Sequence, residues 1–348
     1  MGIAKRASAR SVLLALCVFA LAIVMVACGS ESDDGTTGGS TTTSDSSAGS
    51  TKDVEFTVGR FAAPMIIVAG EAMGSFDDLS MNLTELTGGP EALPLLTSGD
   101  LAGASDVSEP PVAIAIARDI PMKVVWQANS TTVALLVDSS IQGPEDLKGK
   151  TFGAPAGSIM HLKLLQYLEE NGLSPEDINF VDMGAPEAVT AFKSGAIDGT
   201  NLFPPFSEAV KADGAKVLEE SNVANVLIVG DGFIEDHPEV VQTLICRLAD
   251  VQEAAIQNPK PAYEAIAKFL ELPANEVPAM LPQNLIVSPD EMTGPKYLGP
   301  GGEFAKNVVA AGNYLSEIGE LSGAPNLDEV NAAIDLQFVE GVQNGECS

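Results

Sequence analysis

Basic residues are scarce in this chain. Its 348 residues include 18 Lys plus Arg against 48 Asp plus Glu, a formal charge of −30 at pH 7. Nucleic acid is thereby set aside as a partner, since binding it needs clustered cations to neutralise phosphates. Aromatics make up only 5% of the residues, with a single Trp, so small aliphatic side chains must fill most of the interior; at 45% apolar there are enough of them. Four cysteines and two histidines are spread without the spacing of a metal site. No G-x-S-x-G elbow, H-E-x-x-H pair or P-loop occurs, which removes the commonest local signatures of hydrolase, metalloprotease and nucleotide chemistry. Neither a metal nor a cofactor is expected. Internal repeats are absent, and no second apolar run of membrane length follows the one at the amino end.

That first run is informative. Lys5, Arg6 and Arg10 precede an uninterrupted apolar stretch from Val12 to Ala27. As a helix it would span roughly 24 Å, short of a bilayer core of about 30 Å, and it reads as a secretory signal over residues 1–27. Met25-Val26-Ala27 stands directly before Cys28 and resembles a bacterial lipobox, which implies lipid on Cys28 as the first mature residue and an extracytoplasmic chain anchored to the membrane. The plainer alternative is a signal peptide cut nearby. Without Lys5, Arg6 and Arg10 the chain keeps 15 basic and 48 acidic residues, so the acidity belongs to the exported part. Residues 28–52 are rich in Gly, Ser and Thr and lack large apolar side chains, the composition of a disordered tether with a reach of roughly 25–30 Å. Cys17 leaves with the signal; Cys246 and Cys347 could pair in an oxidising compartment, the alternative being a buried thiol and a frayed tail.

Beyond residue 53, short β-branched runs alternate with helical segments. Residues 54–58, 123–127, 133–137, 151–155, 178–183 and 225–229 have strand length, whereas 112–117 ends in Arg118 like a helix. Ser158 precedes an apolar-periodic stretch from His161 to Glu170 that Asn171-Gly172 stops. After His237-Pro238 the pattern is almost wholly helical: 239–258, 261–270, 274–281, 304–318 and 327–338 each fit a 3.6 period. Repeated strand, helix, strand order implies α/β architecture with parallel strands.

Four stretches taken together carry a family resemblance. They are VEFTVGRFAAP (54–64), LLTSGDLAGASDVSEPPVAIAIARDIPMKVV (95–125), SSIQGPEDLKGKTFGAPAGSIMHLKLLQYLEENGLSPEDINFVDM (139–183) and AVTAFKSGAIDGTNLFPP (188–205). In that order and spacing they resemble the extracytoplasmic substrate-binding proteins of ABC importers, in the branch that binds nitrate, taurine, aliphatic sulfonates and thiamine precursors. The resemblance implies a two-lobed periplasmic-binding-protein-like type II fold, with two mixed sheets flanked by helices and a hinge of two crossovers. Residues 53–136 and 230–345 would form lobe I and 137–229 lobe II, with crossovers near 133–139 and 227–232. It also implies a monomer that captures a small polar or anionic organic molecule by lobe closure and delivers it to a membrane permease. A ligand-sensing domain without transport is the alternative, and more remotely an enzyme of the same fold like the eukaryotic pyrimidine synthase.

Candidate ligand contacts come from loops beyond strand ends. Gly157 and Ser158 open a helix, so backbone N–H groups there suit an anion, although Ser158 would cap the helix in either case. The taurine-binding branch has Ser-Thr-Thr-His where this chain has Ser158-Ile159-Met160-His161; His161 is a ligand contact or a packing histidine. Arg60 is one of three arginines outside the signal and offers a planar fork for a carboxylate or sulfonate, unless it is a solvated loop charge. Ser105, Asp106, Ser108 and Glu109 precede Pro110-Pro111, and two carboxylates so close favour an ammonium or polyhydroxylated ligand over bare nitrate. Asp198, Asn201 and Phe203 complete the set, Phe203 packing on the ligand or in the core. Trp126 and Asn129 either face the cleft or pack the hinge.

Overall fold

The structure is a computed structural model that describes residues 51–61, 65–86 and 89–347. The expected signal, Cys28 and all but the last two residues of the tether lie outside the described residues.

Eight strands form one mixed sheet: β1 (Glu55–Arg60), β2 (Ser80–Glu85), β3 (Gly103–Val107), β4 (Met122–Val137), β5 (Thr151–Ala154), β6 (Asn179–Asp182), β7 (Gly199–Leu202) and β8 (Lys216–Gly230). Their order across the sheet is β2-β1-β3-β8-β4-β7-β5-β6. Pairs β1–β2, β1–β3, β5–β6 and β5–β7 are parallel; β3–β8, β4–β8 and β4–β7 are antiparallel. Thirteen α-helices among the described residues surround the sheet: α1 (Met65–Met73), α2 (Gly89–Ser98), α3 (Glu109–Ala117), α4 (Ile159–Glu170), α5 (Ala185–Lys193), α6 (Phe206–Lys211), α7 (Asp231–Asp236), α8 (Pro238–Gln257), α9 (Lys260–Phe269), α10 (Val277–Met280), α11 (Glu303–Glu317), α12 (Leu327–Ala332) and α13 (Gln337–Gln343).

The two sheets expected are the two halves of this one, because the crossovers are themselves strands. Residues 123–127 and 133–137, read from sequence as separate runs, belong to the single β4, and β8 begins nine residues before Asn225. Met122 pairs with Gly230 and Val137 with Lys216, so the two strands run side by side for their whole length. Near Gly230 β8 lies beside β3, and near Val137 β4 lies beside β7. Between these flanks, residues 130–133 and 221–224 pair only with one another among the described residues. Thr131 and Thr132 keep this stretch extended because β-branched side chains favour strands.

Two register shifts in β4, at Val124/Trp126 and Gln127/Asn129, would leave buried backbone groups without ladder partners. Gln252, fully buried on α8, answers the second. Its Nε2 donates to the carbonyl oxygens of Ala128 (2.8 Å) and Val287 (2.7 Å), and its Oε1 accepts the Trp126 indole N–H. The helix expected over 327–338 is instead two, α12 and α13. The β4 backbone captures the residues between them: Val124 N–H donates to Ala333 O, and Asp335 N–H to Val124 O.

Two buried clusters flank the sheet. The larger runs from Phe56 to Val339, and the smaller gathers Leu135, Val137, Phe152, Leu164, Leu168 and neighbours. Helix α11 touches both, with Phe304, Ala305 and Val308 in the first and Tyr314 against the second. Cys246 on α8 and Cys347 form a disulfide with Cα atoms 5.5 Å apart, closing a loop 101 residues in sequence separation.

Gln252→Leu should leave the Trp126 indole and two buried carbonyls without partners and lower stability by about 3 kcal/mol in urea unfolding followed by the fluorescence of the single Trp. An unchanged midpoint would remove Gln252 as the support of the β4 register shift. Converting both Cys246 and Cys347 to Ser should cost about 2–5 kcal/mol, because a loop this long restricts the unfolded chain strongly.

Candidate functional site

The parallel strands point their carboxyl ends at four connections: β1 at Arg60-Phe61, β3 at Ser108, β5 at 155–158 and β7 at Phe203. Helices α1, α3, α4 and α6 follow these connections in turn, and α3 and α4 pack against each other. Aligned backbone dipoles give each helix start a partial positive charge, the reason such ends attract acidic groups.

In α3 that group is part of the chain. Glu109 is the first residue of the helix, with Ser108 as its extended N-cap and two prolines following, whose fixed φ suits a first turn. Its side chain is buried at 3% exposure; Oε1 accepts the Ala224 N–H at 3.3 Å and Oε2 has no partner. Burial raises its pKa, a shift only partly offset by its own N–H, that of Ala224, Lys163 on α4 and Asn307 on α11. Asp106, at the end of β3, has φ 60°, a conformation that acidic side chains and Asn tolerate better than most. Its carboxylate accepts the Ser105 hydroxyl at 2.6 Å and the Met65 N–H at the start of α1, while Oδ1 is buried and unpartnered. Burial outweighs these bonds and lifts its pKa from 3.8 to about 6.

At α4 the expected donors are engaged within the chain. Gly157 has φ 70°, which only Gly adopts without strain. Its N–H donates to His161 Nδ1 (3.3 Å), the Ala156 N–H to Asp182 Oδ1 (2.8 Å), and the Ser158 N–H and hydroxyl to Pro155 O. Ser158 Oγ in turn accepts the His161 N–H, as a capping residue should. The His161 ring stacks on Phe180 with centroids 4.0 Å apart. Burial lowers its pKa to about 4 against the opposing pull of Asp182, so His161 is neutral at pH 7 and supplies no cation to an anion here.

Other sequence-derived candidates fall in varied places. Asn201, buried on β7, donates to Met160 O at 3.1 Å while its Oδ1 is unpartnered, which puts it behind the first turn of α4. Phe203 sits at the carboxyl end of β7 and packs edge-on to Phe206. Asp198 lies at the opposite, amino end of β7, where it accepts the Thr151 N–H (2.8 Å) and pairs with Lys150 (3.4 Å). Arg60 is committed to Glu85 at the end of β2 (3.0 Å) and to Phe61 O, with its guanidinium over the Phe269 ring. Trp126 packs the core beneath β4, and the fully buried Asn129 bonds Ser130 O. Among the described residues no group of His, Cys, Asp and Glu could hold a metal, and no helix is long and apolar enough to cross a membrane.

A cavity of about 190 Å³ lies beside the β4–β8 ribbon, lined by Gln127 and Ser130 of β4, Asn222 and Ala224 of β8, Asn307 of α11 and, among others, Tyr297. None of the residues singled out from the sequence lines it, although Ala224 and Asn307 both contact Glu109. Its walls come from segments up to 180 residues apart.

Residues 66–262, more than half of the chain, match the family model described as NMT1/THI5 like. The taurine-binding periplasmic protein of Escherichia coli K12 is 30% identical over 261 residues, covering 70% of this chain and 79% of that protein. The E. coli periplasmic aliphatic sulphonate binding protein SsuA superposes with a TM-score of 0.65 at 18% identity, over 80% of this chain and 97% of its own. The desulfurization enzyme DszB shares the fold as well, with a TM-score of 0.59 at 16% identity over 84% of this chain and 100% of its own. With a family match this long and a relative at this identity, the chain belongs to the NMT1/THI5-like family.

Proposed function

We propose that this chain is the extracytoplasmic, lipid-anchored solute-binding component of an ABC importer. It holds a small amine-bearing acid of the taurine type between two lobes, residues 53–136 with 230–345 and residues 137–229, and hands it to a permease unchanged. The observation that carries the ligand class is Glu109: a carboxylate buried at the start of α3, one oxygen unpartnered, in the field of Lys163 on α4. A buried acceptor of this kind lacks a donor that a ligand ammonium would supply. The neutral His161, with Asp182 already holding the Ala156 N–H, makes the α4 start poor at binding a bare inorganic anion. An acid group in this cleft would take the first N–H groups of α4, at Ile159 and Met160, where a helix has no carbonyl one turn back. Binding without turnover fits the same residues, since His161 Nδ1 is engaged by Gly157 and both described cysteines are in a disulfide. The ribbon at 130–133 and 221–224, unsupported by a third strand among the described residues, is the hinge, and a ligand shifts it only by its preference for the closed arrangement.

Taurine should bind measurably more tightly than ethanesulfonate, which lacks the amine, in a calorimetric comparison. Glu109→Gln should erase that difference, about tenfold in affinity, by weakening taurine and sparing ethanesulfonate. Equal loss for both compounds, or for neither, would dismiss Glu109 as the amine partner. NMR of the mixture should show taurine chemically intact after prolonged incubation, and any product would defeat the binding reading.

Asp106 predicts a pH effect of definite sign. Between its ordinary pKa of 3.8 and about 6, the folded chain holds a proton that the unfolded chain releases, so this group's contribution to stability falls as pH rises through that interval. Asp106→Asn keeps a side chain suited to φ 60° and removes the titration. Relative to the parent, the variant should therefore gain stability from pH 4 to pH 7 in thermal unfolding; parallel profiles would show that the Asp106 carboxyl is not desolvated.

A further inference from the structure

The cavity beside the β4–β8 ribbon has a chemistry different from that of the cleft. Four carboxamides reach it: Gln127, Asn222, Asn284 and Asn307. Each offers both a donor and an acceptor, and the Ser130 hydroxyl does the same. Its two charged lining residues, Lys296 and Glu303, are of opposite sign and exposed, so the lining carries no net charge. The ring of Tyr297 adds an apolar face. Gln127 is the decisive residue: it is 3% exposed and lines the cavity, yet its Oε1 has no hydrogen-bond partner. Leaving a buried amide oxygen unpaired is costly, and a cavity wall is where an incoming donor can reach it.

We propose that this cavity is a second small-molecule site, adjoining Glu109 through Ala224 and Asn307, that takes a compact neutral polyhydroxylated solute such as a five-carbon polyol. Hydroxyl groups, each donor and acceptor at once, match carboxamides on a one-to-one basis, and the C–H face of a polyol lies against Tyr297. An ammonium compound lacks a buried counter-charge on this lining, and an acid has only the exposed Lys296. The site does not depend on the ligand assigned to the cleft. Because both strands of the ribbon line it, as does α11, which touches both buried clusters, its occupant contacts the elements that any hinge motion must move.

Xylitol titrated into the full chain and followed by ligand-observed NMR is the direct test, since thermal shifts would be confounded by the general stabilising action of polyols. Saturable binding is expected, with 1,5-pentanediol, which lacks the inner hydroxyls, binding at least about tenfold more weakly. Gln127→Leu should abolish xylitol binding. Asn222→Phe, a change at an exposed strand position that fills the cavity from its side, should do the same without touching the core. Gln127→Leu should bind taurine as the parent does. The proposal is overturned if xylitol shows no saturable binding, if Asn222→Phe retains it, or if taurine displaces xylitol one for one, which would place the polyol in the cleft. Failure of taurine to bind at all would strike the cleft assignment and leave the xylitol outcome decisive for this one.

Discussion

Strands β4 and β8 have to travel together from one half of the sheet to the other, past a stretch where no third strand supports them. Parallel strands packed at each end supply the neighbours, but the register must adjust along the way, and each adjustment exposes backbone groups inside the protein. Gln252 meets that requirement at one point by holding two carbonyls and the only indole at once. The positions of α3 and α4, of the connections that start them and of the cavity beside the ribbon all follow from how this pair is held. A polar residue in the centre of an otherwise apolar helix face is therefore a structural necessity at α8, since an aliphatic side chain there would pack but leave three groups unsatisfied.

The acidity of the chain has a counterpart in its interior. Most of the acidic residues are solvated, but Asp106 and Glu109 are withdrawn from water at the ends of β3 and the start of α3, and both hold protons more readily than exposed acids do. Opposite them, the loop before α4 has turned its donors inward onto Asp182, His161 and Pro155. The start of α3 is thus rich in buried acceptors, while the start of α4 has few uncommitted donors.

The alternation of strands and helices, the helix stop at Asn171-Gly172 and the capping role of Ser158 were all legible in the sequence because they are local: each depends on residues within a turn or two. What escaped was non-local. The join between the two runs of β4 contains Asn129, Ser130 and Thr131, polar residues that resemble a loop until Asn225, Ala224 and Val223 pair with them. The split between α12 and α13 depends on Val124, about 200 residues earlier in the chain. Arg60 and Asp198 looked free because an ion pair between residues far apart in the chain leaves no mark on sequence, whereas Glu85 and Lys150 claim them in the fold. Gln127 and Asn222 lacked any motif that would single them out.

The disulfide between Cys246 and Cys347 encloses six helices, from the later part of α8 through α13, in one covalent ring. A protease cutting a loop anywhere inside that ring opens the chain without releasing a fragment. The severed segments stay attached through sulfur, and the break becomes visible only after a reductant separates them.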